Sequence, residues 1–291
     1  MSARNGHNPP PFDDALFGIK GTYNMAGTQL NIISSCARSP YFTCTQDVTV
    51  TYGECAGRLT PLSLGREKSD EYWVLRKSVG LFDVPERPVE ITGKDSLRFL
   101  NRVFSRPMET LQIGRGRYAL LCHQRGGMVC DGVLFRLAEE RYWYVHADSD
   151  MYAWLVAHAG GYDVEIRDPR SWALQIQGPR ALDVFARCCD GGGPENFGYF
   201  HSTMVRMGGQ DVLVSRTGWT GELGFEVYNL NPDVDGPALW SHLFDAGREF
   251  GISACGTLSM NPRRIEAGIL NYGTDMDWDT TPFDMGLGRF V

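Results

Sequence analysis

The chain has no long apolar run: none approaches the roughly 18 residues that read as a membrane-spanning helix. It also has no excess of positive charge. Its 28 Lys and Arg are set against 35 Asp and Glu, for a formal net charge of -7, which argues against a phosphate-gripping groove as its main business. Several signatures of chemistry are missing. There is no His-Glu-x-x-His, no phosphate-binding loop, no Gly-x-Gly-x-x-Gly and no Gly-x-Ser-x-Gly. Metal, nucleotide and serine-hydrolase readings therefore have no support. The eight cysteines include no Cys-x-x-Cys pair and are not matched with histidines at zinc spacing. With no apolar signal core over Met1 to Asp14, they read as reduced thiols. The expectation is a soluble cytoplasmic protein with no metal and no nucleic-acid or membrane partner.

What is present is an ordinary globular composition: 291 residues, 43% hydrophobic and 22% charged, enough for two domains or one large one. Residues 1–19 look loose, and the role of residues 1–65 is not readable from pattern. Helix-period apolar positions follow over 69–79. Short strands are expected at 80–84 and 89–93, a helix at 94–104, a meander of three strands through 114–146, a helix at 149–159 and a strand at 162–166. The pattern then recurs: strand 172–177, helix 180–189, strands 203–207, 210–215 and 225–228, helix 237–250. This order is that of an α+β protein built on antiparallel sheets. Gly286 to Val291 reads as the beginning of another strand. His123 and His146 sit in strand-like contexts and read as satisfied structural histidines.

The stretch Arg216-Thr-Gly-Trp-Thr-Gly-Glu-Leu-Gly-Phe-Glu-Val-Tyr228 has three glycines in seven residues, then an alternating run. It predicts a tight turn feeding a strand that places Glu226 and Tyr228 on one face. Pattern alone leaves two readings open: a solvent-facing hairpin, or a floor for a flat polar ligand.

These residues resemble the signature of the glycine-cleavage T-protein (aminomethyltransferase) superfamily. Arg264 to Met276 with Thr281 to Gly288 resembles its second signature. Gly80-Leu-Phe-Asp-Val84, Gly126-Gly-Met-Val-Cys-Asp131 and Leu174-Gln-Ile-Gln-Gly-Pro179 match further landmarks in order. Trp219, Tyr228 and Met260 make the chain most similar to the tetrahydrofolate-dependent demethylases, of the dimethylsulfoniopropionate and aryl O-demethylase type. The resemblance implies two α+β domains around a folate channel, with a C-terminal β-barrel missing or only begun. The implied division is 1–88 plus 167–285, then 89–166, then a barrel start at 286–291.

The resemblance also implies methyl transfer from a small O-, S- or N-methylated compound to N5 of tetrahydrofolate. Asp131 matches the catalytic aspartate, and Tyr228 is placed to protonate a leaving group. Glu226 matches the glutamate that grips the pterin, whose paired donors suit a bidentate carboxylate; Glu222 is its runner-up. Trp219, Tyr118, Gln177 and Tyr272 are implied channel walls, and Arg263 or Arg264 a contact for the folate tail. One alternative is a T-protein-type aminomethyltransferase, which needs a lipoyl carrier protein. Another is a non-catalytic folate-binding protein of the same fold.

Overall fold

The computed structural model describes residues 19–25, 28–230 and 233–291. The loose stretch expected over residues 1–19 lies outside these, apart from Ile19. Two hairpins come first, β1 (Ile19–Met25) with β2 (Thr28–Cys36) and β3 (Thr51–Cys55) with β4 (Arg58–Ser63), separated by the short α1 (Phe42–Thr45). After α2 (Lys68–Lys77) come β5 (Val79–Val84), β6 (Arg87–Thr92) and α3 (Ser96–Val103). The meander is β7 (Arg115–Cys122), β8 (Met128–Ala138) and β9 (Arg141–His146), followed by α4 (Met151–His158) and β10 (Glu165–Arg167). Then come β11 (Ala173–Gln177), α5 (Ala181–Cys188), β12 (Ser202–Met207), β13 (Gln210–Ser215) and β14 (Gly224–Asn229). The remaining elements are α6 (Gly236–Gly247), β15 (Ile252–Ala254) and α7 (Met260–Glu266).

These strands form a five-stranded sheet in the order β10-β6-β9-β8-β7 and a six-stranded sheet in the order β12-β13-β14-β11-β5-β15. Every pairing in the two is antiparallel except β15 on β5, where Ile252 pairs in parallel with Val79. Three residues give no readable period, so this strand was not expected. Strands β5 and β6 are consecutive yet belong to different sheets. Only Pro85 and Glu86 join them.

Alternation along each strand explains the layers. Leu81, Leu174, Ile176, Phe225 and Val227 face outward onto Val184 and Phe185 of α5 and Leu239 and Leu243 of α6. On the other sheet Val89, Ile91, Leu134 and Tyr144 face Phe99 and Leu100 of α3 and Leu155 of α4. The opposite faces of the two sheets meet each other. Phe82, Val84, Leu213 and Tyr228 pack there against Phe135, Trp143 and Val145. On these inner faces Glu90 and Glu226 are removed from water by the neighbouring sheet.

The strand expected over 286–291 is instead one 3₁₀ turn, Gly288–Phe290. Leu287 and Phe290 both dock on the cluster of Leu120, Met128 and Met276. A spacing of three residues suits a 3₁₀ turn, whereas strand alternation would send the two to opposite sides.

Candidate active site between the sheets

Strand β14 is buried along its whole length, so Glu226 is not the wet strand residue that pattern alone allows. Its carboxylate sits in a box of donors. Gln175 Nε2 donates to Oε1 at 2.9 Å, while Oε2 accepts from Thr217 Oγ1 at 2.6 Å, Tyr228 OH at 2.6 Å and Ser215 Oγ at 3.2 Å. Gln175 stands directly opposite Glu226 in the β11–β14 register, and Ser215 directly opposite in β13–β14. Burial pushes the Glu226 carboxyl above the usual carboxylate range, and the four donors offset part of that rise. A carboxylate has about four lone-pair positions. Three donors fill Oε2, so only Oε1 keeps room for a ligand. Where a bidentate grip is expected of Glu226, the carboxylate keeps one open position.

The glycine-rich turn before β14 is braced from β11. Gln177 donates from Nε2 to Thr217 O at 3.2 Å, and its Oε1 accepts from Thr220 Oγ1 at 2.7 Å. Its amide is committed to the turn and is not an open wall. A Cβ on Gly224 would fall 2.2 Å from Gln177 Nε2, and one on Gly218 2.1 Å from the same atom. We expect Gly224→Ala to cost about 2 kcal/mol, measured as a lowered urea midpoint; an unchanged midpoint would show that Gln177 can give way. Trp219 lies at the turn, Nε1 donating to Leu270 O at 3.4 Å with the Arg264 guanidinium 5.3 Å from its ring. Arg264 is buried and paired with Asp275, Arg263 with Glu222 and Glu266. Both arginines are thus occupied internally, and Glu222 is a partner in that network and of Arg76.

On the facing sheet Asp131, Val133 and Phe135 share one face of β8. Asp131 Oδ2 accepts from Tyr118 OH at 2.8 Å across the β7–β8 pair. Asp131 is half-buried, and desolvation pushes its carboxyl up to about 6, opposed by the Tyr118 bond and assisted by the Asp148 charge. Burial pushes the Tyr118 phenol well up, so it stays a donor. Tyr272 reaches the same region, its OH donating to Met128 O at 3.2 Å. The predicted residues thus fall into two groups on facing sheets: Glu226, Tyr228 and Gln177 with Trp219, and Asp131 and Tyr118 with Tyr272. The bridge between the sheets is Trp143 of β9, edge-on to Tyr228 at 6.1 Å.

A scan against family models matches residues 49–291 to the GCVT N-terminal domain. The chain belongs to that family. Among GCVT relatives, the dimethylsulfoniopropionate demethylase DmdA of Ruegeria pomeroyi is 36% identical over 219 residues, covering 74% of this chain and 59% of the relative. An aminomethyltransferase of Bacillus cereus is 34% identical over 264 residues, covering 87% of this chain and 70% of the relative. Less than two thirds of the Ruegeria protein is therefore represented here. The fold is that of the glycine cleavage system aminomethyltransferase T of Bartonella henselae, with a TM-score of 0.79 at 28% identity over 88% of this chain and 70% of that one.

Sequence reading missed Gln175, Ser215, Thr217 and Glu86. The first was detectable: β11 reads Ala-Leu-Gln-Ile-Gln, and two amides at alternate positions of an otherwise apolar strand mark a polar inner face. Thr217 and Ser215 are two apart on the approach to the turn, the same signal in weaker form. Glu86 gave none, because its placement depends on the crossing between sheets.

Proposed function

We propose that the protein is a tetrahydrofolate-dependent methyltransferase that takes a methyl group from a small O-, S- or N-methylated compound. The carrying observation is the pair of carboxyls on facing sheets. Glu226 is met by four donors that favour its charged form and has one open acceptor position, and Asp131 is poised just below neutrality. The residues fit a reduced pterin. Glu226 Oε1 has room for one further donor, and Gln175 Oε1 is buried with no partner among the described residues. Two adjacent acceptors suit the N3–H and 2-amino donors of the ring. When bound, the folate supplies the N5 lone pair that accepts the methyl group.

In this reading the chain's own residues do the rest. Glu226 and Gln175 fix the ring's orientation, which is the larger part of catalysis for an in-line displacement. Asp131, ionised above about 6, offsets positive charge as it develops at the alkylated nitrogen. Tyr118 holds that carboxylate in place. Tyr228 OH donates its hydrogen bond to Glu226 Oε2, and burial with that neighbouring charge keeps its proton on, so in this reading the phenol steadies the pterin anchor, and the leaving-group role expected of it is not assigned. The test is incubation with tetrahydrofolate and a panel of methylated donors, scoring 5-methyltetrahydrofolate. The identity to the Bacillus aminomethyltransferase favours one second reading, aminomethyl transfer from a lipoyl carrier protein. Formation of 5,10-methylenetetrahydrofolate from that carrier alone, with every methyl donor silent, replaces the first reading by the second.

A further inference from the structure

Glu86 is half-buried, with Oε2 of its carboxyl fully buried, and has no role in the folate reading so far. It lies in the two-residue link from β5 to β6, and Arg58 Nη1 donates to its backbone carbonyl at 2.7 Å. Its Oε1 accepts from Gln175 Nε2 at 2.8 Å, the same nitrogen that donates to Glu226 Oε1 at 2.9 Å. Two carboxyls thus share one amide nitrogen. Their distribution of donors is unequal: Glu226 has four side-chain donors, whereas Glu86 has Gln175 as its one side-chain donor among the described residues, helped by its own backbone amide, and its Oε2 is buried with no partner among them.

Two like charges this close, out of water, do not both persist. Hydrogen bonds favour the charged form where donors are many, so the pair's negative charge belongs on Glu226 and its proton on Glu86. The proton's natural seat is Oε2, the oxygen with no donor pointing at it. The charged and titratable groups facing Glu86 agree. Glu226 and Asp148 both oppose its ionisation, Arg58 is the cation favouring it, and Cys55 and the Tyr228 phenol nearby are both held protonated.

We propose that Glu86 is a second recognition group of the site, a neutral carboxylic acid whose Oε2–H stands as a donor beside the Glu226 acceptor. The class of ligand edge this matches is a donor flanked by an acceptor, as the N3–H and C4 carbonyl of a reduced pterin present. An onium methyl group offers no acceptor and gains nothing from Glu86. The assignment therefore separates the heterocycle's wall from the methyl donor's, and it rests on the folate reading.

Two measurements test it. Infrared spectra of the whole chain at pH 7 should show the carbonyl band of a protonated carboxyl that Glu86→Gln removes. Calorimetric tetrahydrofolate affinity should fall as pH rises through about 8, where Glu86 loses its proton. Glu86→Gln should flatten that alkaline fall. Glu86→Ala should lower affinity about tenfold at pH 7, a fold-change in the range of one lost hydrogen bond. Absence of the band in the wild type, or an alkaline fall that survives in Glu86→Gln, overturns the proposal. Failure of the wild type to bind tetrahydrofolate with the band present overturns the folate reading and Glu86's ligand role together, while its proton stays assigned.

Discussion

Asp131→Asn is expected to lower turnover about a hundredfold, the scale of losing one group that stabilises developing charge, while tetrahydrofolate still binds. The amide is isosteric, and its oxygen keeps the Tyr118 bond. The wild-type rate should rise with pH through about 6, the value to which burial raises this carboxyl, and the variant should lose that limb. Stability moves the opposite way. A carboxyl whose folded pKa is raised makes the fold lose stability as pH climbs from 3.8 through about 6. The Asn variant should therefore melt higher than wild type at pH 7, with the difference closing by about pH 4. An equal loss of folate affinity and turnover would make Asp131 a pterin contact or a structural residue.

Glu226→Ala carries the largest expected effect on stability. It strands four donors in a largely buried space between two sheets: Gln175 Nε2, Ser215 Oγ, Thr217 Oγ1 and Tyr228 OH. Each unsatisfied buried group costs on the order of 1–3 kcal/mol, and the bond that Ser215 Oγ and Thr217 Oγ1 already share at 2.5 Å limits the total to about 3–4 kcal/mol. Glu226→Gln should recover only part of this, since one amide oxygen cannot serve donors that converge from two sides. Urea unfolding measures the cost, and calorimetry with tetrahydrofolate reads the anchor role. Undiminished folate affinity in a folded Glu226→Gln protein would move the pterin anchor elsewhere.

Much of the scaffold is legible as period. The meander of β7 to β9 and the strands β11 to β14 carry alternation or apolar runs long enough to read, and their glycine turns punctuate them. What alternation cannot say is what covers each face. Glu226 and Tyr228 share a side from sequence alone, yet only the opposing sheet, with Trp143 against Tyr228, makes that side dry. The two histidines show the same limit. His123 is satisfied as expected, Nε2 bonded to Trp278 O at 2.8 Å and Nδ1 accepting from the Arg125 amide at 3.1 Å. His146 is buried with neither ring nitrogen bonded among the described residues, and desolvation pushes it down to about 3. Both look alike as strand histidines. Gln177 illustrates a third case: its inner-face position is readable, but its commitment to the Gly218–Thr220 turn depends on a loop that closes from 40 residues away.

The crossing at Pro85-Glu86 has a consequence for how the chain assembles. Every strand of the five-stranded sheet lies between Arg87 and Arg167, so that sheet can pair as soon as those residues are made. Strand β5 precedes it but must wait for its partners: β11 begins at Ala173 and β15 at Ile252. On the ribosome, the largely apolar strand Val79–Val84, interrupted by Asp83, is thus synthesised early and paired late, across sequence separations that slow folding. For that interval it is an exposed edge of the kind that aggregates. Fast translation or chaperone binding between residues 84 and 173 should therefore raise the soluble yield of this protein, and a translational pause there should lower it.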